Sequence, residues 1–387
     1  MQPRRIGLVL SYSLAHCRGI LRGIKRFAET RPEWIITPVE PDGRGIRLLK
    51  ELRPVGVIGH LFDRRLAARV QALRCPVINV AGVFDDFSIS SVGLENDQIG
   101  RLAAEHFIQR RFQLFAFVGH PNHAYSNARQ RGFEAAVQRS GFKVFYYHEK
   151  GLFDPRGQLW SLDVRFRRWL TRLPNPVAVF ACNDVWGLQV AEACRATGLS
   201  IPEKVAVLGV DNDDLLCEVS RPSLSSIAVP SEAIGMQAAT LLHQTMRRTI
   251  STRNVAAPKR ILLPPIGVVV RRSTDVLAID DPHVAEALRR ISSEPLRLTS
   301  AHQLASGLDM SRRSLERRFR HKLGRSIGEE IRRVHLDRAR QLLATTDLSI
   351  SQVALRSGFS DGRHLAVVFR RDLQTTPTDF RRLHSVG

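Results

Sequence analysis

One helical pattern occurs twice near the carboxyl end of the chain. Residues 304–319 are LASGLDMSRRSLERRF, and residues 353–369 are VALRSGFSDGRHLAVVF. Each copy has an Ala where two helices can cross closely, a Gly-containing turn, and a Ser six residues after the Ala that can cap the next helix. The Leu and Phe that follow, Leu315 and Phe319 in the first copy, share one helix face. This spacing predicts two helix-turn-helix units, whose second helices enter the major groove of DNA.

The polar face of each second helix carries the side chains that would meet DNA. Arg binds guanine edges or neutralises phosphates, and Glu accepts a hydrogen bond from cytosine N4. A single helix of this kind would equally fit a solvated amphipathic surface, but two copies joined by one long helix favour DNA binding. The candidate DNA-binding residues are Ser311, Arg312, Arg313, Glu316, Arg317 and Arg320 in the first unit, and Ser360, Asp361, Arg363, His364, Arg370 and Arg371 in the second.

The distribution of charge agrees with this prediction. The 387 residues carry 58 Lys and Arg against 37 Asp and Glu, a net charge of +21. Residues 283–387 hold 20 of these basic residues and 11 of the acidic ones, so this part is about twice as basic per residue as the rest. Such asymmetry is typical of a nucleic-acid-binding module.

The first 270 residues have a different pattern, in which short apolar runs alternate with amphipathic stretches. This alternation predicts parallel sheets with helices on both faces, arranged as two doubly wound α/β lobes with a break near residues 109–113. Residues 223–271 would return to the first lobe and cross back. The predicted strands are Ile6–Leu10, Trp34–Val39, Val55–Gly59, Val77–Ala81, Leu114–Val118, Val144–Tyr147, Val177–Ala181 and Val205–Val210.

Strand patterns stop after Pro282, and seven predicted helices follow. The sequence therefore predicts a two-lobed α/β domain at residues 1–274, a linker at residues 275–284 and an all-α DNA-binding domain at residues 285–387. The predicted helices of the last domain are Val284–Ser292, Ser300–Ser306, Ser311–Leu323, Ile327–Thr345, Ile350–Ser357, Arg363–Asp372 and Thr378–His384.

The last hundred residues resemble the AraC/XylS family of bacterial transcription regulators. In one departure from the family, Val367 stands where a polar or basic base-contacting residue often sits. This predicts that the second helix mainly holds phosphates through Arg363, Arg370 and Arg371. The resemblance rests on Asp347–Ala354, Ser357–Asp361, Phe369–Arg371 and Thr376–Arg381.

The first 270 residues resemble the LacI-type effector domain, which is itself similar to periplasmic sugar-binding proteins. The matching pieces are Arg129–Phe133, Ala181–Asp184 and Leu208–Asn212. The resemblance implies a small sugar, a pentose by preference, bound between the two lobes. Together the two resemblances imply a cytoplasmic, sugar-responsive transcription activator that binds a double-stranded DNA operator as a homodimer and works with RNA polymerase.

The residues themselves support a sugar site. Asn183 and Asp211 each follow an apolar strand, which places them at the carboxyl ends where open α/β sheets bind ligands. A carboxylate accepts from neighbouring hydroxyls, and Arg129 donates to two oxygens. Asn183 and Asp211 are alternatively helix caps or turn residues. The remaining candidate ligand-binding residues are Ser11, Ser13 and His16 in the first lobe, and Phe153 and Trp186 as a platform for the sugar ring, although Trp186 also fits the core.

Other classes of protein fit the sequence less well. Walker, GxGxxG, GxSxG and HExxH motifs are all missing, so we expect neither an enzyme nor a bound cofactor. His120 and His123 lack an acidic or thiol partner in sequence, so we expect no metal, and no apolar run has the length of a membrane span. The main alternative is an exported solute receptor, because residues 4–17 loosely mimic an export signal that ends at Cys17.

Overall fold

The computed structural model describes residues 3–84, 88–147, 163–252, 257–275, 281–293 and 300–384. Two parallel α/β lobes are followed by a helical domain, which confirms the predicted fold class. Part of the predicted linker, residues 276–280, lies outside the described residues. Within the described ranges, no helix has the length and apolar character needed to cross a membrane.

The first lobe is a parallel sheet of six strands with the order β11-β5-β4-β3-β1-β2. Its central strands, Arg4–Val9 and Gly56–Gly59, are largely buried. Helices therefore pack on both faces of the sheet. Its elements before the first crossing are β1 (Arg4–Val9), α1 (Ala15–Glu29), β2 (Trp34–Val39), α2 (Gly43–Leu52), β3 (Gly56–Gly59), α3 (Arg64–Gln71), β4 (Val77–Asn79) and β5 (Ser90–Leu94).

The second lobe repeats the architecture with the strand order β12-β10-β9-β8-β6-β7. All pairings are parallel except that of β12, which runs antiparallel to β10. Its elements are α4 (Asn96–Gln109), β6 (Phe115–Val118), α5 (Ala124–Arg139), β7 (Val144–Tyr146), α6 (Val164–Arg172), β8 (Val177–Ala181), α7 (Asp184–Thr197), β9 (Val205–Asp211), α8 (Asp214–Val219) and β10 (Ser225–Ala228).

The chain crosses between the lobes after β5, after β10 and once more after returning to the first lobe. The return is made by α9 (Ser231–Thr252) and β11 (Arg260–Leu263), and β12 (Gly267–Val269) completes the second sheet. The expected return and recrossing are therefore observed. The three crossings are the covalent connections between the two lobes, and we call them the hinge.

Glycines bring α4 and α5 into close contact. A Cβ on Gly100 would lie 2.0 Å from the carbonyl oxygen of Arg129, and a Cβ on Gly132 would lie 2.0 Å from that of Asp97. Both distances are far below a permitted contact, so only Gly allows the two backbones to approach this closely. This packing fixes the height of Arg129, which α5 carries, relative to the amino-terminal end of α4.

The helical domain contains all seven predicted helices. Its boundaries differ from the predicted ones by two residues at most. The helices are α10 (Pro282–Ser293), α11 (Ala301–Ser306), α12 (Arg312–Leu323), α13 (Ile327–Thr345), α14 (Ile350–Ser357), α15 (Gly362–Leu373) and α16 (Pro377–His384).

Helix α13 is the spine of this domain and belongs to two separate cores. Its amino-terminal residues Ile327 and Ile331 pack with α10, α11 and α12. Its carboxyl-terminal residues Leu336, Ala339 and Leu343 pack with α14, α15 and α16. A helix of this length spans about 28 Å, so it sets a fixed separation between the two helix-turn-helix units.

Candidate functional site

A cleft of about 730 Å³ lies between the two lobes. Loops from the carboxyl ends of both sheets line it, which is where open α/β sheets place ligands, and its volume is that of a small-molecule site. Six of the eight residues that the sequence assigned to the ligand lie on its wall. They are Ser11, Ser13 and His16 from the first lobe, and Arg129, Asn183 and Asp211 from the second.

Arg129 is held rigidly at the base of the cleft. Its side chain is 4% exposed. Its Nε donates to Asn96 Oδ1 at 3.0 Å, its Nη1 donates to the carbonyl oxygen of Cys182, and its guanidinium carbon lies 5.0 Å from the centre of the Tyr125 ring. Its Nη2 lies 4.0 Å from Asp211 Oδ1. The guanidinium is thus oriented before any ligand arrives, which lowers the entropy lost on binding.

Asp211 ends β9 in an unusual backbone conformation. Its φ of 104° and the φ of 51° at Asn212 both lie in the left-handed region, which is strained for residues other than Gly. This turn aims the carboxyl group at the cleft. Burial and the neighbouring Asp213 raise the pKa of Asp211, whereas Arg129 opposes the change, and the result is a pKa of about 6. The group is therefore ionised at neutral pH and accepts hydrogen bonds from hydroxyls.

The charges in the cleft balance at neutral pH. Burial and the charge of Asp211 raise the pKa of Asp184 to about 8, so Asp184 is mainly uncharged. Arg129 faces Asp211, and Arg18 lies 4.0 Å from Asp213 Oδ2. Two cations therefore meet two anions, and the site suits a neutral ligand with many hydroxyls.

Three histidines line the cleft, and the sequence assigned only one of them to the ligand. His16 was a candidate, but His60 and His123 were not. Burial lowers the pKa of His16 to about 3 and those of His60 and His123 to about 4, so all three are neutral and each offers one donor and one acceptor. His60 Nδ1 is buried and has no hydrogen-bond partner among the described residues.

The histidines of the cleft wall have contacts with other protein side chains. Over the described residues there is no group of three or more His, Cys, Asp or Glu side chains that could hold a metal ion. His16 Nδ1 instead lies 2.8 Å from Ser231 Oγ, at the start of α9, and His123 stacks on His120 with 3.4 Å between ring centres.

Trp186, which the sequence offered as a platform for the ligand or as a core residue, lies in the core. Trp186 is 5% exposed, belongs to the core of the second lobe and does not line the cleft. Asn183 caps α7 and accepts from the backbone nitrogen of Trp186 at 3.0 Å, which fixes Trp186 on the stripe of α7 that faces the core. Phe153, the other predicted platform, lies outside the described residues. Phe62, which follows β3, and Tyr125, on α5, are aromatic side chains that line the cleft, and Phe62 is 38% exposed.

The described structure adds a testable pH dependence at this cleft. Sugar affinity is expected to be constant near pH 7 and to fall by up to about tenfold per pH unit below pH 6, because protonation of Asp211 removes an acceptor. Between pH 5 and 7, Asp184 and the three histidines keep their charge state. Isothermal titration at pH 5 and pH 7 measures the effect, and an equal affinity at both values would contradict the role of Asp211.

The first recognition helix, α12, turns its basic face outward. Leu315, Phe319 and Leu323 are buried, and Ser311 caps the helix by accepting from the backbone nitrogen of Ser314 at 3.2 Å. Glu316 is half-buried, and its Oε2 has no hydrogen-bond partner within the described ranges. The exposed candidates are Arg312, Arg313, Arg317 and Arg320.

The second recognition helix, α15, begins eight residues after the Ala of its repeat, whereas α12 begins seven residues after its Ala. The cap expected at Ser360 is wrong, because Asp361 caps the helix and accepts from the backbone nitrogen of His364 at 2.8 Å. Ser360 Oγ instead contacts Asp361 Oδ2 and His364 Nδ1, each at 3.2 Å. A carboxylate at the amino end of a helix satisfies free N–H groups and complements the helix dipole, which a hydroxyl does less well.

The arginines of α15 are exposed, as the sequence required, but they differ in their partners. Arg363 and Arg370 lie on the outward face. Arg371 lies beside that face and pairs with Asp372 at 2.6 Å. Part of its charge is therefore already compensated within the helix.

The helical domain docks directly on the hinge of the sensor. Ala228, at the end of β10, and Ile266, in the last crossing, share one apolar core with Leu336, Ala339 and Leu343 of α13. The backbone nitrogen of Ile266 also donates to the carbonyl oxygen of Ala228 at 2.9 Å. Two of the three crossings are thus in contact with the spine of the DNA-binding domain.

A buried polar chain supports the same junction. Arg110 Nε donates to the carbonyl oxygen of Thr274 at 3.0 Å, and Arg110 Nη1 donates to His106 Nδ1 at the same distance. His106 therefore presents Nε2–H to Thr274 Oγ1, again at 3.0 Å, and Thr274 Oγ1 lies 2.7 Å from Ser225 Oγ. These contacts tie α4, β10 and the end of the sensor domain together where α13 approaches.

Comparisons with known proteins match both parts of the chain. Residues 104–274 match a periplasmic binding protein-like domain, and residues 304–383 match a helix-turn-helix domain. The chain is 27% identical to the xylose operon regulatory protein of Escherichia coli, over 98% of this chain and 97% of that protein. It is 26% identical to the protein of the same name from Haemophilus influenzae, over 98% of each.

Solved structures give the same picture. The structure of the xylose-binding transcription activator xylR covers 100% of this chain and 99% of its own, with a TM-score of 0.62 and 26% identity. A LacI-type regulator from Alkaliphilus metalliredigens, solved with D-xylulofuranose, covers 70% of this chain with a TM-score of 0.57 and 18% identity, and it shows the fold of the sensor alone. The chain is therefore a transcription regulator that joins a periplasmic-binding-protein-like sensor to an AraC-type helix-turn-helix domain, and it resembles the xylose operon regulatory proteins along its whole length.

Proposed function

We propose that this protein activates a sugar-catabolic operon in the cytoplasm when a neutral pentose binds between the lobes of its sensor. The observation that carries the proposal is the cleft itself. One preoriented guanidinium, one ionised carboxylate and three neutral imidazoles line it, and the charges of its side chains sum to zero. Such a set matches the donors and acceptors of vicinal hydroxyls. The similarity to xylose regulators supports a pentose.

The junction between the domains supplies a physical route for the response. A ligand that contacts both lobes stabilises the closed arrangement, provided that it binds the closed form more tightly than the open one. Closure changes the hinge, and Ala228 and Ile266 of the hinge pack against α13. A change in the hinge therefore moves or loosens the spine that separates the two recognition helices.

A homodimer is part of the proposal. One pair of recognition helices reads a short sequence, and two copies on direct repeats raise both affinity and specificity through effective concentration. Activation further implies contact with RNA polymerase by the DNA-bound protein.

The alternative of an exported solute receptor conflicts with the position of Cys17. Cys17 is buried inside α1, and β1, which precedes it, lies between β2 and β3 in the first sheet. Processing at Cys17 would remove this central strand. The receptor role would also leave the two helix-turn-helix units without a purpose.

A thermal-shift screen of the full-length protein against neutral pentoses, hexoses and their acids tests the ligand class. A neutral pentose at a hundred times its Kd is expected to stabilise the sensor by about 2.7 kcal/mol, and the acids are expected to have no effect. Stabilisation by a sugar acid alone would contradict the charge argument, and stabilisation by a hexose alone would contradict the choice of a pentose.

Base reading by the first helix is testable once a DNA site is known. Arg317→Ala is expected to reduce discrimination at one base pair by about 1–3 kcal/mol, because Arg contacts guanine bidentately. Arg370→Ala, on the outward face of α15, is the matched control and is expected to weaken binding to all sequences evenly. Binding curves on matched and scrambled duplexes measure both, and an even loss with Arg317→Ala would contradict its assignment.

A further inference from the structure

The two recognition helices present the same outward stripe with one exception. Leu315 and Phe319 of α12 correspond to Leu365 and Phe369 of α15 after a shift of fifty residues, and all four are buried. The caps, Ser311 and Asp361, obey the same shift, so the register between the helices is fixed. The exposed positions opposite the buried side are Arg313, Arg317 and Arg320 in α12, and Arg363, Val367 and Arg370 in α15.

The exception is Val367, which replaces the central Arg of the stripe. Its side chain is 63% exposed, and it takes no part in the core on which α15 packs. Arg363 and Arg370 lie one turn away on either side, about 10 Å apart along the helix axis. A recognition helix lies in the major groove, so with this stripe turned inward Val367 would face the base edges and Arg363 and Arg370 would flank it.

The chemistry of the groove decides what an aliphatic side chain can recognise there. Every base pair offers hydrogen-bonding groups in the major groove, but only thymine offers an apolar one, its C5-methyl. Val has no donor or acceptor for the other edges, and it would leave them without a partner. Apolar contact with a methyl group also removes the exposed surface of Val367 from water.

We infer that α15 reads thymine through Val367, at the position where α12 reads guanine through Arg317. Val367 is then a specificity-determining residue, and α15 does more than hold phosphates. The two halves of the DNA site differ at the corresponding base pair, guanine in one half and thymine in the other. This inference rests on the proposed DNA-binding function.

Deoxyuridine provides the test, because it differs from thymidine by the methyl group alone. Duplexes are first selected by the full-length protein from a random-sequence library, and each thymine of the selected site is then replaced singly by uracil. One replacement is expected to weaken binding about fourfold, the effect of one buried methyl group. Val367→Ala is expected to weaken binding to the thymine duplex by a similar factor and to bind the uracil and thymine duplexes equally.

Two further variants sharpen the result. Leu355→Ala is the matched control, since Leu355 is 61% exposed on α14, outside the stripe, and this variant should retain the fourfold preference for thymine. Val367→Arg should prefer guanine to thymine at that base pair, because Arg binds guanine bidentately, as inferred for Arg317.

The outcomes separate the inference from the function on which it rests. Selection of no sequence by the full-length protein would overturn the proposed function. Selection of a site in which every thymine can be replaced by uracil without loss would overturn the inference alone. Equal sensitivity to uracil in the wild-type protein and in Val367→Ala would do the same, because the methyl group would then have another partner.

Discussion

Asp211→Asn is expected to abolish the sugar response and to leave the basal affinity for DNA unchanged. Asn has nearly the shape of Asp and tolerates the left-handed backbone at this position, where φ is 104°, so the turn survives. The substitution removes the ionised acceptor and leaves Arg129, which is 4% exposed, without its countercharge. Hydrogen bonds to charged groups contribute about 1.5–3 kcal/mol each, so the loss of bonds to two sugar hydroxyls should lower sugar affinity by about a hundredfold or more, as measured by isothermal titration.

Asp214→Asn is the matched control for this change. Asp214 begins α8 and is exposed, three residues from Asp211. It should keep the affinity for sugar within about twofold, because an exposed charge contributes little. An Asp211→Asn protein that binds the sugar as the wild type does would remove Asp211 from the site.

Glu330→Ala is expected to destabilise the helical domain by about 3 kcal/mol, because it removes the buried carboxylate that Arg325 and Arg333 share, and Asp337 remains as a partner of Arg333 only. Glu330 is 2% exposed and lies in the first turn of α13. Its Oε2 accepts from Arg325 Nε at 2.7 Å, and its Oε1 accepts from Arg333 Nη2 at the same distance. Urea denaturation of the full-length protein, followed by circular dichroism, measures the loss.

Glu329→Ala is the neighbouring control. Glu329 forms a capping box with Ser326 at the exposed start of α13, and its loss should cost about 1 kcal/mol. A similar cost for both variants would contradict the role of the buried triad.

The same triad predicts how stability depends on pH. Burial alone would raise the pKa of Glu330, but Arg333 and Arg325 outweigh it and lower the pKa to about 2. Because the folded pKa lies below that of the unfolded chain, the stabilisation is complete above about pH 4.5 and is lost as the pH falls toward 2. As the pH falls from about 4.5 toward 2, the free energy of unfolding of Glu330→Ala should therefore decrease less than that of the wild-type protein.

The sequence predicted the helical domain well because local signals specify it. Each recognition helix has a capping side chain, a Gly near the turn, and Leu and Phe four residues apart. The position of the second cap was predicted wrongly, because Ser360 and Asp361 are adjacent and both residue types cap helices. Only the geometry shows which of the two accepts from the free N–H groups.

The sensor was predicted less completely. Strands that are continuous apolar runs, such as β8 and β9, were found, whereas β5, β10, β11 and β12 were not predicted as strands. Ser interrupts the apolar character of β5 and β10, and every residue of β10 is nevertheless buried by its neighbours in the sheet. Long-range pairing of this kind leaves no local signal.

The cleft was predicted where a polar residue follows a recognisable strand. Asn183 and Asp211 both satisfied that rule. His60 also follows a strand, β3, and this signal was available in the sequence. The sequence does not show which way the Trp186 side chain points, because this direction depends on how the cap at Asn183 rotates α7 relative to the core.

The central claim is that sugar binding in the cleft changes how the helical domain binds DNA. Its most direct test is the affinity of the full-length protein for its selected duplex, measured by fluorescence anisotropy while the stabilising pentose is titrated. The DNA affinity is expected to change with a midpoint at the sugar concentration that half-saturates the cleft, and Asp211→Asn is expected to show no change. Saturation of the cleft with DNA affinity unaltered throughout would contradict the claim.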